Sequence, residues 1–457
     1  MQLVRVPQLA FFEDSELELP LPAEWDVELR PMPGAELPPL DDDAIRALLA
    51  QPAGAPRLRD LAKERHEAVI IFDDISRPTP VDRLWPFVVA ELHAGGLTDE
   101  HIRMVVALGT HGAHSREDFR RKVGEEALRR FPVYNHSCYD RCTLVGTTSR
   151  GTPVEVNDEV LSCDLRIGIG SVLPHPSMGF GGGPKIILPG VVSFNTIRTH
   201  HGPVCQRIRE EGQGLPMRTA MAENPGWQDV AEAARLAGLD FIVNSILNQR
   251  RQVVGLAAGD VIEAWRQGVD MARRTYATAP PDGADIVLSN CYGKGNEAQI
   301  AAFTPHLGYG APAGGRDVVV ISVCPQGLVV HYLLGDFGPG TRRDQPKIWR
   351  QLQEGVRRMI VFNPYPEMAS RRFLEVDGEQ YFVSTWEEVL ALLTRWHPDG
   401  ARVVVYPDLT VQYLWPPEAQ GPDGGRVVPS VWAFSGAGPH LVERSMIGER
   451  KNGSLSG

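Results

Sequence analysis

Between Leu173 and Gly190 the chain reads Leu-Pro-His-Pro-Ser-Met-Gly-Phe-Gly-Gly-Gly-Pro-Lys-Ile-Ile-Leu-Pro-Gly. Gly179 and Gly181 to Gly183 free the backbone to turn its N–H groups toward an anion. Lys185 ends the run, His175 precedes it, and His200-His201 lies beyond it. Two more clusters carry ionisable groups: Asp74-Ile75-Ser76-Arg77-Pro78, and Gly109-Thr110-His111. Imidazole titrates near ~6.5 and suits proton transfer. An aspartate and an arginine three apart form either a local cap with an ion pair or a clamp for a carboxylate. A phosphate-loop hydrolase fits poorly, because Pro184 separates Gly183 from Lys185 and Ile186 stands where a magnesium-binding hydroxyl would follow.

The surrounding pattern must position these groups. Ala68 to Phe72 reads as a strand ending in Asp73-Asp74, and Ile102 to Leu108 as a second ending in Gly109-Thr110-His111. Asp164 to Gly170 is a third, with His175 shortly after it. Helical periodicity covers 82–93, with Leu84, Phe87, Val88 and Leu92 on one face, and 115–131, with Ser115 as cap. Strands alternating with helices imply an α/β fold with parallel pairing. In such sheets functional groups gather at strand carboxyl ends, where Asp74, His111 and His175 fall. Residues 20–60 read as a surface arm with one short helix, and 227–238 and 259–276 as helices. Ala279-Pro280-Pro281-Asp282-Gly283 breaks the pattern, and strands at 285–289, 317–323, 359–362 and 401–406 follow. The expectation is two α/β domains, 1–275 and 280–447, with the active site in the cleft between them, and a flexible tail at 448–457.

Composition narrows the partners. The 457 residues hold 46 Lys+Arg against 57 Asp+Glu, a net charge of −11, which argues against a nucleic-acid or anionic-membrane surface. No run approaches the ~18 apolar residues of a membrane span, and the first twenty residues lack a signal-peptide layout. Six cysteines in this length read as reduced thiols of a cytoplasmic protein, Cys163 and Cys205 as core thiols among them. Cys138 and Cys142 beside His136 suggest a metal knuckle, but a second cysteine pair is missing.

Taken together, the motifs resemble the nickel-dependent lactate racemase family, whose enzymes use a nickel-pincer nucleotide. Asp74, Ser76, Arg77 and Pro78 look like its Asp-x-Thr-Arg-Pro motif, with serine for threonine. His111 is similar to its first catalytic histidine, and His175 to its second. Lys185 falls on the lysine that carries the cofactor through a thioamide, and His201 on the nickel-ligating histidine. Asn135-His136 also looks like the family. The resemblance implies a 2-hydroxy acid racemase or epimerase working by reversible hydride transfer. It implies a cofactor-binding N-terminal domain, a substrate-side C-terminal domain, a small-molecule 2-hydroxy acid substrate, and separate cofactor-biosynthesis enzymes as partners. The α-proton of a 2-hydroxy acid is too weakly acidic for one side-chain base, so hydride chemistry needs a cofactor. Two acid/base groups are also needed, because the antipodes present their hydroxyls oppositely. His111 and His175 are that pair. Gly181, Gly182 and Gly183, with Asp74, Ser76 and Arg77, are candidates for the cofactor phosphate, and Arg77 is alternatively a substrate clamp.

The departures bear on the substrate. Gly112 follows His111 where better-known members have arginine, and His114 competes with His111 for a role. Pro184 precedes Lys185 where arginine is common. The family's second-domain Gln-x-x-Lys pair would fall on Ile300 and Phe303, which cannot do that work. Lys294, Asn296, Glu297 or Gln299 would substitute, and the substrate is then a 2-hydroxy acid other than lactate. The alternative reading is a non-catalytic homologue that keeps the fold and binds an anion or nucleotide.

Overall fold

The computed structural model describes residues 1–175, 178–211, 224–302, 304, 307–333 and 351–414, so Phe303 and the tail expected at 448–457 lie outside the described residues. The fold is α/β, built on two six-stranded sheets. The first runs in the order Val253–Gly259, Phe241–Leu247, Leu165–Ser171, Ala68–Asp73, Ile102–Ala107, Val133–Asn135. All its pairings are parallel except Phe241–Leu247 with Val253–Gly259. The second runs Glu379–Val383, Val356–Phe362, Arg316–Ile321, Ile286–Asn290, Arg402–Tyr406, Asp26–Leu29, parallel throughout.

Strand alternation builds the cores. In Ala68–Asp73, Val69 and Ile71 face one apolar cluster while Ala68, Ile70 and Phe72 face another. Such fully buried, aliphatic strands are what a sheet covered on both faces requires. The second sheet repeats the rule, with Val287, Val318 and Val320 on one side and Ile286, Leu288, Val319 and Ile321 on the other.

Where a surface arm was expected over 20–60, Asp26–Leu29 forms the edge of the second sheet beside Arg402–Tyr406. The first residues form an antiparallel hairpin, Gln2–Gln8 with Ser15–Leu21, whose Val6, Leu19 and Leu21 pack on the second sheet. Its tip reaches the first unit: the Arg251 guanidinium lies 4.1 Å from the Phe11 ring centroid, and Asp14 accepts from Arg251 at 2.7 Å. Phe241–Leu247 lies inside the first sheet although its apolar residues, interrupted by Asn244-Ser245, carry no period. Helix Arg116–Arg130 starts at Ser115, whose hydroxyl accepts from the Asp118 N–H while Asp118 returns to the Ser115 N–H. None of the described helices is long and apolar enough to cross a membrane.

The sheets place their carboxyl ends where the motifs fall. The chain enters the first sheet at Ala68–Asp73, then places later strands on both sides of it, so Asp74 leaves at a point where the winding reverses. Ile286–Asn290 has the same position in the second sheet and leads to Lys294.

His136 follows the short Val133–Asn135 strand. Its Nε2–H donates to the Val192 carbonyl at 3.0 Å, and its Nδ1 accepts from Asn157 Nδ2 at 3.1 Å. Both ring nitrogens are thus taken, and burial holds the ring neutral, with its pKa pushed down to about 4. His136 is thus committed away from Cys138 and Cys142, and no group of three or more metal-binding side chains converges among the described residues. The unfolded chain takes up this proton near 6.5 and the folded chain near 4, so stability is full above the upper value and is lost as pH falls between them. Urea midpoints of wild type and His136→Gln, compared across this window, should differ in slope. The wild type should lose up to about 3 kcal/mol more on acidification, and identical slopes would exclude a neutral buried His136.

Candidate active site

Asp74 is 3% exposed and fully engaged. Its Oδ1 accepts from the Ser76 N–H at 3.2 Å and hydroxyl at 2.5 Å, and its Oδ2 accepts from His111 Nδ1–H at 2.6 Å. Burial opposes ionisation of Asp74, but His111, with Arg77 and His114 behind it, holds the carboxyl well below the usual range. Burial likewise opposes charge on His111, and Asp74 and Glu297 outweigh it, so His111 titrates above a free imidazole. The ring is fixed with Nε2 turned toward Glu297, whose Oε1 lies 3.6 Å away.

The turn carrying Asp74 is braced from both sides. Lys122, fully buried on the Arg116–Arg130 helix, donates to the Arg77 carbonyl at 2.8 Å and pairs with Asp73 at 2.8 Å. His114 Nε2 accepts from the Ile75 N–H at 3.0 Å, and Asn135 holds the backbone of residue 114 through both its amide atoms. His114 thus supports the turn while His111 faces the site. Arg77 Nη1 donates to the Ser76 carbonyl at 3.0 Å, to the Ser76 hydroxyl at 2.7 Å, and to the Glu297 carboxylate.

The glycine run is used differently from the expectation of an open anion cradle. The Gly181 N–H donates to the Leu173 carbonyl at 2.7 Å, and the Gly183 N–H to Asn244 Oδ1 at 2.7 Å. Trp265 Nε1 donates to the Gly181 carbonyl at 2.9 Å. Gly183 has φ +54°, and a Cβ there would stand 2.5 Å from the Trp265 ring. The glycines let the loop pack against Trp265 and the first sheet. That packing presents Lys185, in the short turn Gly183–Ile186. Among the described residues, Lys185 Nζ makes no hydrogen bond or ion pair. Burial and then Arg77 push its pKa down to about 8.

His175 belongs to a two-residue antiparallel pairing, Pro174–His175 with Gly179–Phe180. Its Nδ1 accepts from the Met178 N–H at 3.2 Å. Burial, and then the charges of Lys185, Arg77 and Lys294, hold it well below a free imidazole.

His200 and His201 separate cleanly. Helix Phe194–Thr199 continues into a wider π-helical turn, His200–Val204. His200 is fully buried and donates from Nδ1 to Asp229 at 2.7 Å, which also accepts from Thr148 at 2.5 Å and Thr152 at 2.6 Å. His201 donates from Nδ1 to the Ile197 carbonyl at 3.1 Å, which leaves Nε2 available. A histidine anchored to a carbonyl through one nitrogen is a typical metal ligand through the other.

The second unit supplies Lys294, Asn296 and Glu297, all buried, from the segment after Ile286–Asn290. Lys294 is pushed down to about 7 by burial and then by Arg77, against Glu297 and Asp408. Asp408 is pushed up to about 6 by burial, although the Thr410 hydroxyl and the Gly293 N–H, which donates at 2.8 Å, both favour its charge. Gln299 follows in the turn Gln299–Ala302. The sequence reading missed His331. Its segment crosses the first unit: the Gly112 N–H donates to the Val330 carbonyl at 2.9 Å and the Tyr332 N–H to the Thr110 carbonyl at 2.8 Å. This sets the His331 ring 5.1 Å from that of His111. The one sequence signal was Gly112. A Cβ there would lie 3.1 Å from Val330, so the glycine makes room for the crossing segment.

Residues 12–212 match the family described as the lactate racemase N-terminal domain. A lactate racemase of Lactiplantibacillus plantarum is 29% identical over 251 residues, 54% of this chain and 58% of that protein. A lactate racemase of Thermoanaerobacterium thermosaccharolyticum is 28% identical over 292 residues, 63% of this chain and 67% of that protein. The chain thus aligns with less than two thirds of the first relative's length. The solved lactate racemase apoprotein of T. thermosaccharolyticum superposes with a TM-score of 0.66 at 20% identity, covering 91% of this chain and all of that one. A Thermotoga maritima protein gives 0.59 at 15% identity, over 82% of this chain and 98% of that one. At these identities the two structures speak for the fold.

The Asp74–His111 pair is testable in the protein without ligands. Asp74→Asn removes the charge that sustains the imidazolium, so the His111 pKa should fall by about one unit or more in an NMR titration. An unmoved value would exclude Asp74 as the group that sets it.

Proposed function

We propose that this chain, whose residues 12–212 match the lactate racemase N-terminal domain, is a member of that family and inverts the C2 centre of a 2-hydroxy acid by a hydride route. The observation that carries the reading is a pair of imidazoles with opposed preferences. Asp74 and Glu297 favour the proton on His111, whereas burial and three cations keep it off His175. Groups whose surroundings drive their pKa values apart are the mark of an acid/base pair. His175 accepts the hydroxyl proton of one antipode as the C2 hydrogen leaves, and His111 returns a proton to the oxygen when the keto form is reduced from the other face. In the reverse direction the roles exchange.

The residues present suit the nickel-pincer nucleotide. Lys185 has an amine without a hydrogen bond among the described residues and with a lowered proton affinity, which an amine needs before it forms a thioamide. His201 Nε2 would complete the nickel's donor set, since imidazole suits Ni(II). When bound, this cofactor supplies the hydride acceptor that no side chain provides. Conversion of the Lys185 amine to an amide-type nitrogen also removes one of the cations that suppress protonation of His175. Asp74, Ser76, Arg77 and the Gly181–Gly183 segment remain candidates for the cofactor's phosphate, with Gly181 and Gly183 limited by their N–H bonds within the fold. The same commitment weakens the alternative of a non-catalytic anion-binding homologue, which would rest on those groups.

The reading places the protein in the cytoplasm, beside the enzymes that make the cofactor, with the site between a cofactor-side unit around the first sheet and a substrate-side unit around the second; the first was expected to span 1–275, but Asp26–Leu29 and the N-terminal hairpin belong to the second. The test is co-expression with the cofactor-biosynthesis enzymes, followed by intact-protein mass, nickel content and chiral analysis. Wild type should carry added mass and nickel, and should invert a 2-hydroxy acid with its C2 deuterium label retained. Lys185→Ala should lose the mass increment, and His201→Ala should retain less nickel. His111→Ala and His175→Ala should keep both cofactor and nickel while losing turnover by about 100-fold or more. Wild-type nickel and activity in Lys185→Ala would overturn the assignment.

A further inference from the structure

The polar groups that the second unit brings to the site are unequally partnered. Glu297, 5% exposed, gives one carboxylate oxygen to Arg77 and holds the other 3.6 Å from His111 Nε2. Arg77, the cation that a substrate carboxylate would first seek, therefore already has its anion. Lys294 is 3% exposed, and among the described residues its Nζ makes no hydrogen bond or ion pair. Asn296 Oδ1 and Gln299 Oε1 are buried without a hydrogen-bond partner among the described residues. A native fold leaves few such atoms, and orphaned ones within a site mark where ligand groups bind.

These atoms divide into two kinds. Lys294 offers a positive charge and three donors, whereas the Glu297 carboxylate and the unpartnered Asn296 Oδ1 and Gln299 Oε1 offer acceptors. A second carboxylate brought to Arg77 would meet the Glu297 carboxylate on the same guanidinium and be repelled. A hydroxyl would instead donate to it. Asn296 also lines a narrow cleft together with Ile75, Tyr292 and the hairpin tip Leu9–Phe12.

Resting on the racemase reading above, we propose that Glu297 determines specificity: the substrate is a monocarboxylic 2-hydroxy acid bearing further hydroxyl groups. Its carboxylate pairs with Lys294, and its additional hydroxyls donate to Glu297, Asn296 and Gln299. Substrates with a methyl group or a second carboxylate in place of those hydroxyls are disfavoured, the first for want of donors and the second by charge.

The probes are gluconate, lactate and malate, assayed for C2 inversion with the cofactor-loaded enzyme. Wild type should show kcat/KM for gluconate at least tenfold above lactate and malate. Glu297→Gln, which also removes a charge facing His111, should shift the ratio of kcat/KM for malate over gluconate toward malate by tenfold or more, with the mass increment at Lys185 unchanged. Glu297→Asp, which keeps the charge, should preserve the wild-type ranking. Lys294→Met should raise KM for every substrate turned over, again with the mass increment intact. Inversion of lactate or malate as efficiently as gluconate, or a ranking unmoved in Glu297→Gln, overturns this inference and leaves the racemase reading standing. A loaded wild type that inverts no 2-hydroxy acid overturns that reading, and this one with it.

Discussion

A buried carboxylate shared by two neighbours organises the site. Asp74 leaves the central strand of the first sheet, where its own burial would neutralise it unless positive partners were supplied. His111 and Arg77 supply them, and in doing so each is fixed, His111 by a 2.6 Å bond and Arg77 through Ser76, while His114, held neutral by burial, braces the turn by accepting from the Ile75 N–H. Removal of one partner from such a buried pair would leave an uncompensated charge at a cost of about 3–5 kcal/mol. The same charges set the chemistry, because a carboxylate that needs an imidazolium keeps His111 protonated.

The network continues into the second unit, which explains why that unit matters to the first. Glu297 meets both Arg77 and His111, 220 residues away in sequence from the former. The segment around His331 crosses residues 110–112 through two backbone hydrogen bonds. A conventional reading of the lattice of helices and strands would assign these contacts to packing. The placement of Glu297 on His111 and on Arg77 makes its contacts electrostatic as well.

How much of this was legible in the sequence follows from the distance between partners. Asp74, His111 and His175 were readable because each comes just after an aliphatic strand, and a parallel α/β sheet gathers such positions at one end. The strands themselves were readable because Ala68–Asp73 and Ile286–Asn290 each open on a continuous apolar run, 68–72 and 286–288. Asp26–Leu29 was not, since an edge strand of four residues, none fully buried, has no such run. Phe241–Leu247 was silent for the opposite reason: its apolar run includes Asn244, whose side chain is needed to hold Gly183. The glycine loop illustrates a limit of composition. Glycine permits both an anion cradle and a close approach, and here the Trp265 ring and the Asn244 amide determine that the approach wins. Glu297 and Lys294 could be named as candidates from sequence, but their opposite situations, one paired and one not, depend on Arg77.

That contrast also bears on how the site would respond to being filled. The candidate cations are Arg77, Lys185 and Lys294, and Arg77 raises the free-energy cost of charging both lysines. Loss of the Lys185 charge to a covalent bond would relax both His175 and the rest of this set, and a ligand anion would relax it further. Glu297 cannot serve in place of that anion for Lys294 while its carboxylate is engaged with Arg77 and faces His111. The positive charge left over in the site thus lies on the second unit, and the proton-transfer groups lie on the first. A ligand that bridges the two would set its anion against Lys294 and a neighbouring polar group against His111.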